Sequence, residues 1–252
     1  MDGRDCEDTG ALFAGQTGRL TGLGRVETTR PLIIFDCDGV LVDSEPISVR
    51  VLVERLNSKG VAIGEEQAYA RFLGRSLSTV TQILHDDYGH TIDSAFLDDL
   101  RHHLYDRFRQ ELRPIWGMAR TLNTLDYPHC VASSSQPERI RLSLSLTGLL
   151  DRFEPHIFSA SMVSRGKPAP DLFLYAAEKM DALPCACIVV EDSPAGIEAA
   201  KRAGMSVFAF VGGSHAGGDV HRQKIADLAP DVIFDAMPDL IHLVRKHLEG
   251  SG

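Results

Sequence analysis

Apolar residues in this chain gather into short runs that end on polar clusters, and these runs alternate with stretches of helical spacing. Leu32-Ile33-Ile34-Phe35 is apolar throughout and gives way to Asp36, Asp38 and Gly39. The same plan recurs at Cys130-Val131-Ala132 before Ser133-Ser134-Ser135, and at Ile157-Phe158 before a loop carrying Lys167. It recurs again at Cys187-Ile188-Val189-Val190 before Glu191-Asp192, and Val207-Phe208-Ala209-Phe210 and Val232-Ile233-Phe234 read as two further strands. A run that is apolar at every position marks a strand covered on both faces, as in parallel sheets. Helical patterns over about 137–147, 171–180 and 194–203 fall between the runs, which predicts an α/β fold with a parallel sheet. Ligands of such sheets bind outside the carboxyl ends of the strands, where these polar clusters fall.

The segment 47–112 has a different texture. Val49, Leu52, Val53 and Leu56 recur at helical spacing among many charges, with no strand-like run. It reads as a helical insertion after the first strand, lying over the strand ends as a lid and rejoining the core near Arg113-Pro114. Residues 31–46 and 113–248 then form the α/β catalytic core. Residues 1–30 mix Arg4, Arg19, Arg25 and Arg30 with Asp2, Asp5, Glu7, Asp8 and Glu27. Without a sustained apolar stretch they do not read as a secretory signal; they read as a disordered extension or as an over-long start.

Composition narrows the classes of partner. The 252 residues carry a net charge of -9, which argues against a general nucleic-acid binder. An acidic protein can still bind a phosphorylated metabolite where a few cations are focused. No apolar run approaches the roughly 20 residues needed to cross a bilayer. Five cysteines, Cys6, Cys37, Cys130, Cys185 and Cys187, form no C-x-x-C pair and leave one over, which fits reduced thiols and a cytoplasmic location. A monomer is the default expectation.

Asp36 and Asp38, at alternate positions beyond a strand, project into one space. Neighbouring carboxylates repel, so one tends to hold a proton unless a cation intervenes. One could then be nucleophile and metal ligand while the other serves as acid and afterwards as base; the alternative is a turn with two solvated aspartates. Glu191 and Asp192 suit a hard cation such as Mg2+. They also suit a helix start, with Ser193 as cap, Pro194 in the first turn and Gly204 as stop, and both readings can hold together. Ser133 could donate to a phosphate oxygen. Ser135 and Glu138 have capping-box spacing, so Ser135 is as much a cap as a substrate contact. Lys167, stiffened by Pro168 and Pro170, reads as a phosphate clamp.

Taken in order, Asp36-Cys37-Asp38-Gly39-Val40-Leu41-Val42-Asp43-Ser44-Glu45, Ser133, Lys167 and Glu191-Asp192 resemble the four motifs of the haloacid dehalogenase-like hydrolases. The likeness is to their sugar-phosphate phosphatase and β-phosphoglucomutase-like branch. It implies a Rossmann-like core with a helical cap inserted after the first strand. It implies a Mg2+ site at Asp36, Asp38, Glu191 and Asp192, with Asp36 as nucleophile and Asp38 as acid and base. Ser133 and Lys167 would hold the phosphoryl group, and Ser135 and the cap-loop residue Arg75 are further candidate substrate contacts, Arg75 being equally a solvated charge. Mutases of the family carry a histidine where this chain has Ser48, which favours a phosphatase. The first motif also looks like a branch acting on 6-phosphogluconate. The expected activity is therefore hydrolysis of a small phosphomonoester, a sugar or sugar-acid phosphate, through an aspartyl-phosphate. The rivals are a sugar phosphomutase and a non-catalytic metabolite sensor.

Overall fold

The structure is a computed structural model that describes residues 30–72, 77–216 and 218–250. Its frame is a parallel sheet of β1 (Leu32–Phe35), β2 (His129–Ser133), β3 (Ile157–Ser159), β4 (Cys187–Glu191), β5 (Ser206–Phe210) and β6 (Val232–Phe234), in the order β3-β2-β1-β4-β5-β6. The order reverses between β1 and β4, and a crevice at the strands' carboxyl ends is expected at that switch point. Phe35 pairs with Val131 on one side and Val190 on the other, so Asp36 and Glu191 leave the sheet side by side.

The strand centres from β1 to β5 are apolar because both faces of the sheet are covered there. Ile33, Phe35, Val131, Ile188, Val190, Phe208 and Phe210 pack on one face, and Leu32, Ile34, Cys130, Ala132, Val189, Val207 and Ala209 on the other. Cys37, Cys130 and Cys187 are buried thiols outside any disulfide. No helix among the described residues is long and apolar enough to cross a membrane.

Between β1 and β2 lie α1 (Glu45–Ser58), α2 (Glu65–Phe72), α3 (Leu77–Tyr88), α4 (Ser94–Glu111) and the short α5 (Met118–Thr124). Val49, Val53, Leu56, Ala68, Phe72, Leu84 and Phe96 make a core of their own there. Another face of α1 and α4, through Ile47, Val51, Leu104 and Phe108, joins the cluster under the sheet. The remaining helices are α6 (Pro137–Leu146), α7 (Leu150–Phe153), α8 (Asp171–Lys179), α9 (Pro194–Arg202), α10 (Asp219–Asp227) and α11 (Leu240–Gly250).

The start of α9 forms as its residues predict. Ser193 accepts from the Gly196 N–H, Pro194 fills the first turn, and Gly204 follows the last turn at φ +72°. The expected capping box at α6 does not form. Gln136 occupies the cap position without a side-chain bond, because the Ser135 hydroxyl is committed elsewhere.

Candidate active site

The loop after β1 curls tightly: Cys37 O accepts from the N–H groups of Leu41 and Val42, and Gly39 sits at φ +80°. A Cβ at Gly39 would lie 2.0 Å from Asp192 Oδ2, so this loop and the end of β4 touch through a gap only glycine leaves. Asp36 and Asp192 thus come from two neighbouring strand ends to one buried cleft.

Lys167 reaches this cleft from the loop before α8. Its ammonium donates to Asp36 Oδ1 at 2.6 Å and to Glu191 Oε1 at 2.7 Å, and lies 4.9 Å from the Phe173 ring centre. Burial works against the charge, but Asp36 and Glu191 outweigh it and hold the lysine above its ordinary value. Glu191 is held in turn: its Oε2 accepts from Asp192 N, Ser193 N and the Ser193 hydroxyl. Gly196 makes room for it, since a Cβ there would fall 1.7 Å from Oε1.

Asp38 has a separate set of partners. The Ser44 and Ser135 hydroxyls donate to it at 2.6 Å each, and Arg139 Nη2 donates at 2.8 Å. Burial pushes its carboxyl up, but the Arg139 charge and the two hydroxyl bonds prevail and leave it below its ordinary value. Asp36 moves the other way. Burial raises it well above the carboxylate range, and Glu191, Asp192 and Asp38 add to the rise while Lys167 opposes it. Asp192 is raised by burial as well, against its bond with His215.

The structure therefore brings Asp36, Asp38, Ser135, Lys167, Glu191 and Asp192 into one cluster of two bonded sets, Asp36–Lys167–Glu191–Asp192 and Asp38–Ser135. The Ser133 hydroxyl, buried at the end of β2, accepts from Ser135 N at 3.1 Å. Arg75 lies outside the described residues. Two basic residues in the cluster were not predicted. Arg139 bridges Asp38 to the Ser48 hydroxyl on α1 and lies over the Phe108 ring of α4. A cation in the first turn of a helix opposes the helix dipole, and that misplacement was the available signal. His215 contacts Asp192 from Gly212-Gly213-Ser214-His215, which follows β5 as the other clusters follow their strands.

A hard cation fits the donor chemistry. Among the described residues, five acids, Asp36, Asp38, Glu45, Glu191 and Asp192, meet three basic side chains, Lys167, Arg139 and His215; burial pushes Asp36, Glu45 and Asp192 up, and the neighbouring acids add to the push. No three acids, histidines or cysteines among the described residues form a ready metal cage. Mg2+ needs only one or two carboxylates with water, however, and Asp36 and Asp192 are the carboxylates that would supply them.

The model of the haloacid dehalogenase-like hydrolase family matches residues 33–210, which include all of these acids and Lys167. The chain belongs to this family. This hydrolase is 33% identical over 184 residues to 6-phosphogluconate phosphatase of Escherichia coli, covering 73% of this chain and 83% of that protein. A haloacid dehalogenase-like protein of unknown function from Agrobacterium tumefaciens has the same fold, with a TM-score of 0.78 and 34% identity over 87% of this chain and 99% of that one. A family hydrolase from Deinococcus radiodurans, solved with phosphate and sodium bound, aligns with a TM-score of 0.69 and 29% identity, covering 88% and 96%.

Proposed function

We propose that this hydrolase is a Mg2+-dependent phosphatase that releases phosphate from a small phosphomonoester, a sugar or sugar-acid phosphate such as 6-phosphogluconate. The observation that carries the reading is the buried Lys167 held between Asp36 and Glu191 at the switch point of the sheet. It sets a fixed positive charge against a carboxylate nucleophile, which is what transfer of an anionic phosphoryl group requires. The phosphatase name of the Escherichia coli relative supports the same reaction class.

Asp36 attacks phosphorus, and the bond to the ester oxygen breaks as Asp38 passes that oxygen its proton. The product alcohol leaves and an aspartyl-phosphate remains on Asp36. Asp38, now a carboxylate, takes a proton from water as the water oxygen attacks the same phosphorus, which frees Asp36 and inorganic phosphate. Lys167 and the Ser133 hydroxyl hold the phosphoryl oxygens. Asp36 and Asp192 would hold Mg2+, which supplies Lewis-acid charge to the phosphoryl group. Glu191, with Oε2 taken by three donors, places Lys167 rather than binding the metal. Helices α1 to α4 act as the cap over the cleft, and Ser48, whose hydroxyl donates to Ser44 O, leaves water as the final acceptor.

The test is phosphate release across a panel of sugar phosphates and sugar-acid phosphates with Mg2+ supplied and with Mg2+ chelated. Asp36→Asn is expected to abolish release. Undiminished release by that variant would refute the mechanism, and interconversion of sugar phosphates without free phosphate would favour the mutase.

A further inference from the structure

Beyond β5 the chain runs back over the cleft as a strap, residues 211–216. Val211 N donates to Phe234 O at 2.8 Å, and Ala216 N donates to Gly213 O at 2.9 Å. Ser214 ties the strap to the first loop, donating to Asp43 from both its N–H and its hydroxyl. Between these ties the His215 side chain is only 2% exposed and places Nε2 2.8 Å from Asp192 Oδ2. Two glycines shape its slot. A Cβ at Gly39 would come within 2.9 Å of its Cε1, and one at Gly213 within 2.7 Å. The edge of the slot is the His221 ring, 5.7 Å away between centres. His215 Nδ1 is buried with no hydrogen-bond partner, so the ring is oriented through Nε2.

We infer that His215 is a positioning residue for the metal site: its Nε2–H occupies Asp192 Oδ2 and leaves the carboxylate a single oxygen for the cation. This rests on the reading of Asp192 as a metal ligand. A carboxylate limited to one oxygen suits Mg2+, which demands regular octahedral geometry. A carboxylate free to bind through both oxygens suits the larger Ca2+, which tolerates bidentate ligands. Groups that hold a metal ligand in this way typically contribute roughly ten- to a hundredfold to affinity. The strap would thereby set both the strength and the selectivity of the site, without touching substrate.

Calorimetric titration of the metal-free full-length protein with MgCl2 alone, and then with CaCl2 alone, tests this. His215→Ala should bind Mg2+ roughly tenfold or more weakly, with Ca2+ much less affected, so that the ratio of the two affinities shifts toward Ca2+. His215→Gln keeps an amide N–H at the reach of Nε2 and should restore most of the affinity, whereas the shorter His215→Asn should not. Asp192→Asn separates the inference from the reading beneath it. If Asp192→Asn binds Mg2+ like wild type, Asp192 is not a ligand and the reading fails. If Asp192→Asn loses binding while His215→Ala keeps wild-type affinity and selectivity, the His215 inference alone is overturned. It is likewise overturned if the Gln and Asn variants bind Mg2+ alike.

Discussion

Glu45, the first residue of α1, lies beside Asp38 and Asp192, and replacing it isolates the cost of burying its charge there. Burial, then Asp38 and Asp192, push its carboxyl from an ordinary 4.5 to about 7, against Arg139 and His215. In that interval the folded protein holds a proton that the unfolded chain has released, so folding stability falls as pH rises from 4.5 toward 7. At about 1.4 kcal/mol per pH unit, the full interval is worth about 3 kcal/mol. Glu45→Gln keeps the shape and removes the charge. The variant should therefore exceed wild type by about 1 kcal/mol at pH 5 and by about 3 kcal/mol at pH 8. Urea unfolding at the two pH values measures this, with EDTA present because a bound cation would favour the carboxylate. The slope with urea should be unchanged, so the difference is read from the midpoints. A difference between variant and wild type that stays constant from pH 5 to pH 8 would refute the reasoning, because Glu45 would then titrate alike in both states.

Two further substitutions test how the cluster is held. Gly196→Ala places a methyl group against Glu191 Oε1 and must displace the carboxylate that positions Lys167. It should cost about 2–4 kcal/mol in urea unfolding and lower phosphate release at least about tenfold. Arg139→Ala leaves Asp38 buried without its charged partner and should cost about 3 kcal/mol by the same measurement. Arg139→Lys should recover only part of that loss, since a point charge does not reproduce the guanidinium that reaches both Asp38 and Ser48.

The parts of this fold legible in the sequence are those set by burial and by local backbone chemistry. β1 and β4 declared themselves because both faces of each strand are covered, which leaves no position free for a polar residue before the strand's carboxyl end. The start of α9 was legible because Ser193, Pro194 and Gly204 act within a few residues of one another. Ser135 shows where local logic stops. Its spacing from Glu138 fits a capping box, yet a carboxylate 97 residues away takes its hydroxyl. Arg139 and His215 escaped for the same reason: each matters only through an acid brought beside it by the sheet order. Asp36, Lys167 and Glu191-Asp192 could be grouped beforehand because parallel strands send all their carboxyl ends the same way. The bonds that divide labour among them depend on distances that no spacing encodes.

The two aspartates carry opposite shifts, and in the order opposite to the one their proposed roles require. Asp36, the nucleophile, is pushed toward its protonated form, while Asp38, the acid, is held as a carboxylate. The reversal follows from what each faces: Asp36 lies among Glu191, Asp192 and Asp38, whereas Asp38 lies against Arg139. The two species the reaction needs bring opposite charges to these two places. A divalent cation held by Asp36 and Asp192, as proposed, would offset the excess of acids and favour the carboxylate form of Asp36. A phosphoryl dianion arriving beside Asp38 would compete for its donors and favour its proton. One unit charge about 4 Å away, at an effective dielectric near 20, is worth about 4 kcal/mol, or about three pH units on a pKa. Each species opposes the shift it meets. On the proposed mechanism, the acid-rich cleft would acquire its catalytic protonation pattern from metal and substrate together, and Asp36 would become a competent nucleophile when a phosphoryl group is present to receive it.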